Sequence, residues 1–184
     1  MAALIDATTA LILERGVSMS VREISQRAGV NHGLVHTYFG SKDALLAATF
    51  GAINERAGDE LDDAGFPPPD LALRRDGELT RATARILLDI PGDPFPSHPV
   101  LPSWRRALAT THPDADDHEL DERVLIATAL GLGWSLFSAH FSRILDIEPE
   151  QLAAIERRVI EMIADIGGIP GTGASASSDN RSTN

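Results

Sequence analysis

Between His32 and Thr37 the chain gathers side chains that can read the edges of base pairs. His32 and His36 can donate to guanine or adenine acceptors when suitably protonated. Leu34, apolar on an otherwise polar stretch, can meet a thymine methyl, and Thr37 lies beside them. Gly33 lets a backbone approach closely. Each residue alone is an ordinary solvated position on a short helix. As a set they do chemistry only if the flanking segments hold that helix rigidly in a groove.

The flanks carry the signals for this. Ser20 can accept the backbone N–H of Glu23, and the Glu23 side chain can reach back, a capping box that opens a helix over 21–28. Val21, Ile24 and Ala28 fall on one face of it. Gly29 supplies a positive φ where the helix must stop, and Val30 is expected to be buried in the turn. Asn31 caps a second helix over 32–39, with Val35 and Phe39 as its inward pair. Ser25 is small enough for the two helices to cross closely. A small residue, a glycine four positions on and an apolar residue six beyond that form a helix-turn-helix signature. In such a unit the N-terminal half of the second helix meets the base edges.

The run RAGVNHGLVHTYFGSKDALLAA has Tyr38-Phe39, then Gly40, then Ser41-Lys42 ahead of a long helix. In this it resembles the DNA-binding end of the TetR-type transcriptional regulators, over roughly Leu4 to Ala48. The resemblance implies that Ser20 and Arg22 touch backbone or base, and that Tyr38 and Lys42 contact phosphates. The N-terminus of the helix after Ser41 would add backbone donors. His36 and Thr37 depart from the aromatic and histidine usual there, so base specificity does not carry over. Family members usually carry a basic arm before the first helix; here the chain starts almost inside it, which removes contacts an arm could make.

Composition sets limits. With 43% hydrophobic and 23% charged residues the chain should fold. Cysteine is absent, which excludes disulfides, thiolate chemistry and Cys-ligated zinc. No secretory signal is read, so a cytoplasmic protein is expected. The net charge of −11 argues against nucleic acid only if it is averaged. Residues 1–50 balance Arg15, Arg22, Arg27 and Lys42 against Asp6, Glu14, Glu23 and Asp43. The excess acid lies in the remainder, which DNA would repel unless the neutral end faces the duplex. Lys42 is the only lysine.

The rest of the chain reads as helices. An amphipathic helix over 2–15 turns Leu4, Ile5, Thr8, Leu11 and Ile12 toward the reading helices. Another runs from Lys42 to about Leu61, with Leu45, Leu46, Thr49, Phe50 and Ile53 inward, until GFPPPD at 65–70 stops it. Helix resumes near Asp70–Leu73 and over 78–90, with Leu79, Ala82, Ile86, Leu87 and Ile90 inward. Five prolines in 91–102 predict a loop, followed by a helix over 103–111 and an acidic connector over 112–122. From Arg123 to about Leu145 comes the most apolar helix. Its length approaches a membrane span, but it has internal structure that lipid would not require. Thr128, Gly131, Ser135, Ser138 and Ser142 form a small-residue stripe suited to another helix, and Leu130, Trp134, Phe137, Phe141 and Leu145 a large one. Leu125, Leu132 and Leu136 cover a third side, which predicts burial on most sides. In the last helix, to about Ile166, Leu152, Ile155, Val159, Met162 and Ile166 repeat as an a/d seam. Two such helices meeting two from a second copy would make a four-helix interface, which the resemblance implies as well. The Gly/Ser/Thr-rich tail over 167–184 is expected to be disordered.

The resemblance also implies a small-molecule site in the body, with Leu87, Phe95, Trp104, Leu108, Trp134, Phe137, His140 and Phe141 as candidates. The same aromatic stripe reads equally as core or dimer contact. His112, Asp114, Asp116, Asp117, His118 and Glu119 read as a solvated acidic connector rather than a metal site. No Ser/His/Asp order, phosphate cradle or HExxH run is present, so neither catalysis nor a cofactor is expected. The expectation is an all-α homodimer: a three-helix DNA-binding domain over 1–47, a larger helical effector-binding and dimerisation domain over 48–166, and the tail. It would act as a regulator, in the sense of a repressor, on a palindromic operator in double-stranded DNA, under control of a small apolar effector and away from any membrane. The alternatives are a constitutive or architectural DNA-binding dimer and a helical enzyme or interaction protein.

Overall fold

The computed structural model describes residues 1–74, 78–89 and 99–170. Among these are nine α-helices: α1 (Ala2–Arg15), α2 (Val21–Arg27), α3 (Gly33–Phe39), α4 (Lys42–Gly58), α5 (Leu71–Arg74), α6 (Glu78–Asp89), α7 (Val100–Thr111), α8 (Asp117–Ile144) and α9 (Pro149–Ile166). A single 3-10 turn, Gly16–Ser18, joins α1 to α2.

Two apolar cores form. The first joins Leu11 and Ile12 of α1, Ile24 of α2, Val35 of α3 and Leu45 of α4, all buried. Each fully buried aliphatic side chain contributes about 1.5–3 kcal/mol relative to exposure. Phe50, Ile53, Ala82 and Ile86 belong to the same core, so packing crosses the expected boundary at residue 47 and takes in α6. Arg85 of α6 reinforces this: its guanidinium donates to the carbonyls of Ile12 at 2.5 Å and Leu13 at 2.7 Å. Carbonyls in the last turn of a helix carry the negative end of its dipole, so the cation is favoured there, even though the Ile12 carbonyl also accepts the Gly16 N–H.

The second core lies in the body. Phe66, Trp104, Leu108, Leu120, Val124 and Ile163 meet there. Gly131 of α8 is buried, and a Cβ there would lie 3.4 Å from both Ala72 of α5 and Ile163 of α9. The small-residue stripe is therefore used within one chain, at least at this position.

Several expected boundaries move. Helix α7 begins at Val100, inside the segment expected to be a loop, because Pro102 falls in the first turn, where a missing N–H costs nothing. Helix α8 begins at Asp117, inside the expected acidic connector. Asp116 caps it, accepting the Glu119 N–H at 2.8 Å, and Asp117 and Glu119 favour the positive end of its dipole. The expected disordered tail starts too early. Ile169 is buried, and the Gly167 carbonyl accepts from Trp104 Nε1 at 2.8 Å, so the chain stays on the core through residue 169. A Cβ on Gly167 would lie 2.2 Å from the Trp104 ring, which explains the glycine better than flexibility does.

The prediction that α8 is buried on most sides fails within one chain. Leu125, Phe137, Phe141, Ile144 and Leu145 are all more than half exposed. The a/d seam of α9 is split: Val159 is buried, while Ile155 and Met162 are exposed. Helix α8 is long and apolar enough to cross a membrane by length and composition, but its exposure is one-sided, since Leu120, Val124, Ala127 and Gly131 are buried.

Candidate nucleic-acid interface and internal cavity

The reading unit is built by caps. Ser20 Oγ accepts the Glu23 N–H at 3.2 Å, while the Glu23 carboxylate accepts from the Ser20 N–H at 2.7 Å and hydroxyl at 2.8 Å. Those bonds from Ser20, first from its backbone and then from its hydroxyl, hold the Glu23 carboxyl below its ordinary value; Arg15, 3.0 Å away, adds to the effect. The Ser20 hydroxyl is thus committed to the helix start rather than free for DNA. Gly29 has φ +68°, as the turn requires, and Val30 N–H returns to the Ser25 carbonyl at 3.0 Å. Asn31 Oδ1 accepts the Gly33 N–H at 2.9 Å, which makes it the cap of α3. A Cβ on Gly33 would crowd that oxygen at 3.3 Å, a reason for glycine there besides close approach to a partner.

On α3, Val35 is fully buried and Phe39 half-buried. His32, His36, Thr37 and Tyr38 are exposed, and Leu34 is half-buried on the side next to them. His36 Nδ1 lies 3.2 Å from the Gly40 carbonyl. A carbonyl only accepts, so Nδ1 carries the proton and neutral His36 offers Nε2 as an acceptor. It then suits an amino group on adenine or cytosine, and becomes a donor only as imidazolium. The Thr37 hydroxyl donates to the Gly33 carbonyl at 3.0 Å, leaving its lone pairs and methyl outward.

The cations divide sharply. Arg15 pairs with Glu23, and Arg27 with Glu14 at 2.8 Å. Lys42 is half-buried and donates to the Val17 carbonyl at 2.5 Å, bracing α4 against the turn after α1. Arg22 is exposed and makes no ion pair with a described residue. The electrostatic footprint is correspondingly thin, with Arg22 the cation most available to a phosphate.

The body contains a cavity of about 390 Å³. Its walls come from α4 (Phe50, Ile53, Asn54), the proline run 67–69, α6 (Thr80, Thr83, Leu87), α7 (Val100, Trp104) and α8 (Thr128, Gly131). Of the residues expected to bind an effector, Leu87 and Trp104 line it. Leu108 is buried in the core instead. Trp134, Phe137, His140 and Phe141 do not line it. At about 100° of turn per residue, His140 falls opposite Gly131 and Phe137 about 120° round from it, and Trp134 Nε1 donates outward to Glu156 at 3.3 Å. Phe95 lies outside the described residues. The polar wall residues Asn54, Thr80, Thr83 and Thr128 were missed. The available signal was Asn54 itself, a polar residue one turn after Phe50 on the inward face of α4.

The profile of the family described as bacterial regulatory proteins, tetR family, matches residues 4–49. The HTH-type transcriptional repressor Rv3405c of Mycobacterium tuberculosis is 35% identical over 148 residues, covering 74% of this chain and 72% of that protein. The chain belongs to the TetR family. It is a DNA-binding transcriptional regulator and not an enzyme. Solved structures share the fold. A TetR-family regulator from Streptomyces coelicolor superposes with a TM-score of 0.52 at 20% identity, covering 91% of this chain and 96% of that one. A TetR protein of Acinetobacter baumannii AYE, solved in complex with minocycline, gives 0.50 at 15% identity, covering 91% and 93%. The all-α, two-part TetR architecture is thus the one described above.

Proposed function

We propose that this TetR-family chain is a cytoplasmic repressor that binds a palindromic operator as a homodimer and releases it when an apolar effector fills the body cavity. Two copies pair through the exposed faces of α8 and α9, which makes four helices at the interface and gives the apolar face of α8 a cover. Helix α3 lies in the major groove, with His32, Gly33, Leu34, His36 and Thr37 toward base edges and Arg22, Tyr38 and Lys42 toward phosphates. Ser20 orders the start of α2. Palindromic half-sites one helical turn apart fix the spacing of the two reading helices at roughly 34–36 Å.

One observation carries the control mechanism: the cavity shares walls with α4 and α6, and both helices belong to the core of the reading unit. Helix α6 turns Thr80, Thr83 and Leu87 to the cavity while Ala82, Arg85 and Ile86 hold α1. A ligand that prefers the non-binding spacing by about 1–3 kcal/mol changes operator affinity 5–150-fold. A relative in fold binds minocycline, which is in keeping with a ligand-accepting body. A constitutive dimer is less well supported, because its body would have no use for the cavity.

Selection of bound fragments from random DNA tests the reading. The expected product is an inverted repeat; a single asymmetric half-site, or no enrichment at low salt, would refute it.

A further inference from the structure

Among the described residues, no charged side chain lines the cavity. An ion entering it would lose its hydration and find no counter-charge, so it would be rejected unless it neutralised. The walls are hydrocarbon apart from one amide, three threonine hydroxyls and the edge of Trp104. Two of the hydroxyls are already spent. Thr128 donates to the Val124 carbonyl at 2.7 Å and Thr80 to the Ala72 carbonyl at 3.3 Å. The Trp104 N–H is held by Gly167.

Asn54 differs. It is only 4% exposed, yet its amide is half used. Nδ2 donates to the Phe50 carbonyl at 3.0 Å, which fixes the orientation of the amide because that carbonyl can only accept. Oδ1 accepts from no described residue, and no buried side-chain oxygen or nitrogen is left wholly enclosed without a partner. The oxygen therefore keeps its contact with open space, and the space beside Asn54 is the cavity. A buried amide oxygen without a donor is costly in an apolar wall, and a ligand donor would repay it.

Resting on the reading of this cavity as the effector site, we propose that the effector is an uncharged, largely hydrocarbon molecule bearing a hydroxyl or N–H group that donates to Asn54 Oδ1. At about 30 Å³ for each small group, the volume holds roughly a dozen non-hydrogen atoms. Apolar burial drives binding, and the single donor sets orientation and selects against plain hydrocarbons of the same shape.

Naphthol, naphthalene, naphthoate and naphthyl-trimethylammonium share one ring system and differ in charge and donor, so they serve as probes. Titration calorimetry on the full chain at neutral pH should give naphthol the tightest binding, about tenfold or more over either ion. Asn54→Leu should retain naphthalene binding and erase the advantage of naphthol over it. Either ion binding as tightly as naphthol overturns the proposal, and the ranking on the unaltered protein decides this even if the variant folds poorly. A naphthol advantage that survives in folded Asn54→Leu overturns the role of Asn54. Ala127→Phe, which projects a ring from the cavity wall, separates the two levels. If no probe binds, or if this variant leaves all binding unchanged, the cavity is not the effector site at all and the proposal falls with it.

Discussion

The two ends of the molecule dispose of their apolar surface in opposite ways. From Leu4 to Ile53 the large aliphatic side chains are buried or half-buried, and up to Ile53 the exposed large hydrophobic residues are Met1 and Tyr38. Along α8 and α9, Leu125, Ile126, Phe137, Phe141, Ile144, Ile155 and Met162 face outward. An exposed apolar face of this kind marks an interaction surface. The reading end buries its apolar side chains within one copy, whereas the body leaves apolar side chains of α8 and α9 bare. An acidic chain can bind DNA on these terms, because residues 1–50 are balanced in charge and the excess acid lies in the body.

The largest test breaks the body's side of this contrast. Phe137→Glu together with Ile144→Glu places two carboxylates on the bare face of α8 without touching the core. Sedimentation should then find monomers at micromolar concentration, and operator affinity should fall by roughly 100-fold or more as the second half-site ceases to be intramolecular. A stable dimer after this change would move the interface elsewhere. Gly29→Val attacks the other end. A Cβ there meets nothing within 4 Å, so the penalty comes from the positive φ alone. The expected loss is about 1–3 kcal/mol in thermal unfolding; unchanged unfolding would contradict the turn.

Arg85→Met loosens the seam between the ends. It removes two hydrogen bonds to carbonyls of α1 and should lower stability by about 1–2 kcal/mol. It should also shrink the effector-induced change in operator affinity while leaving probe binding to the cavity intact. Arg22→Ala should weaken binding about equally on all DNA sequences and reduce the salt slope by roughly one unit; an unchanged slope removes Arg22 from the phosphate contacts. The smallest effect belongs to Glu23→Gln. Because the folded chain lowers the Glu23 carboxyl below 4.5, its contribution is present above that value and lost as pH falls through the lowered one. The difference between wild type and variant in unfolding temperature should therefore close in acid and persist at neutral pH.

How far each end could be read in advance follows from how local its causes are. The caps at Ser20, Asn31 and Ser41 and the turn at Gly29 act within three or four residues of chain, so their types and spacing carry the structure with them. The cavity is a different matter. Its walls combine α4, a proline run, α6, α7 and α8, and no spacing within one helix says which aromatic turns inward. Trp104 turns to the cavity and Phe137, His140 and Phe141 do not, because an apolar residue on a bare helix face reads in sequence like one facing a ligand. Asp116 and Pro102 misled in the same way: acid and proline look like loop until a helix N-terminus needs a cap and can spare an N–H.

Lys42 has one further consequence. Since it is the only lysine, an amine-directed reagent has a single side chain to find, besides the chain terminus. That ammonium is pinned to Val17 and half sheltered. Its labelling rate would therefore report how often the start of α4 lifts away from the bend behind α1, giving a direct clock for motion at the joint where operator and effector would communicate.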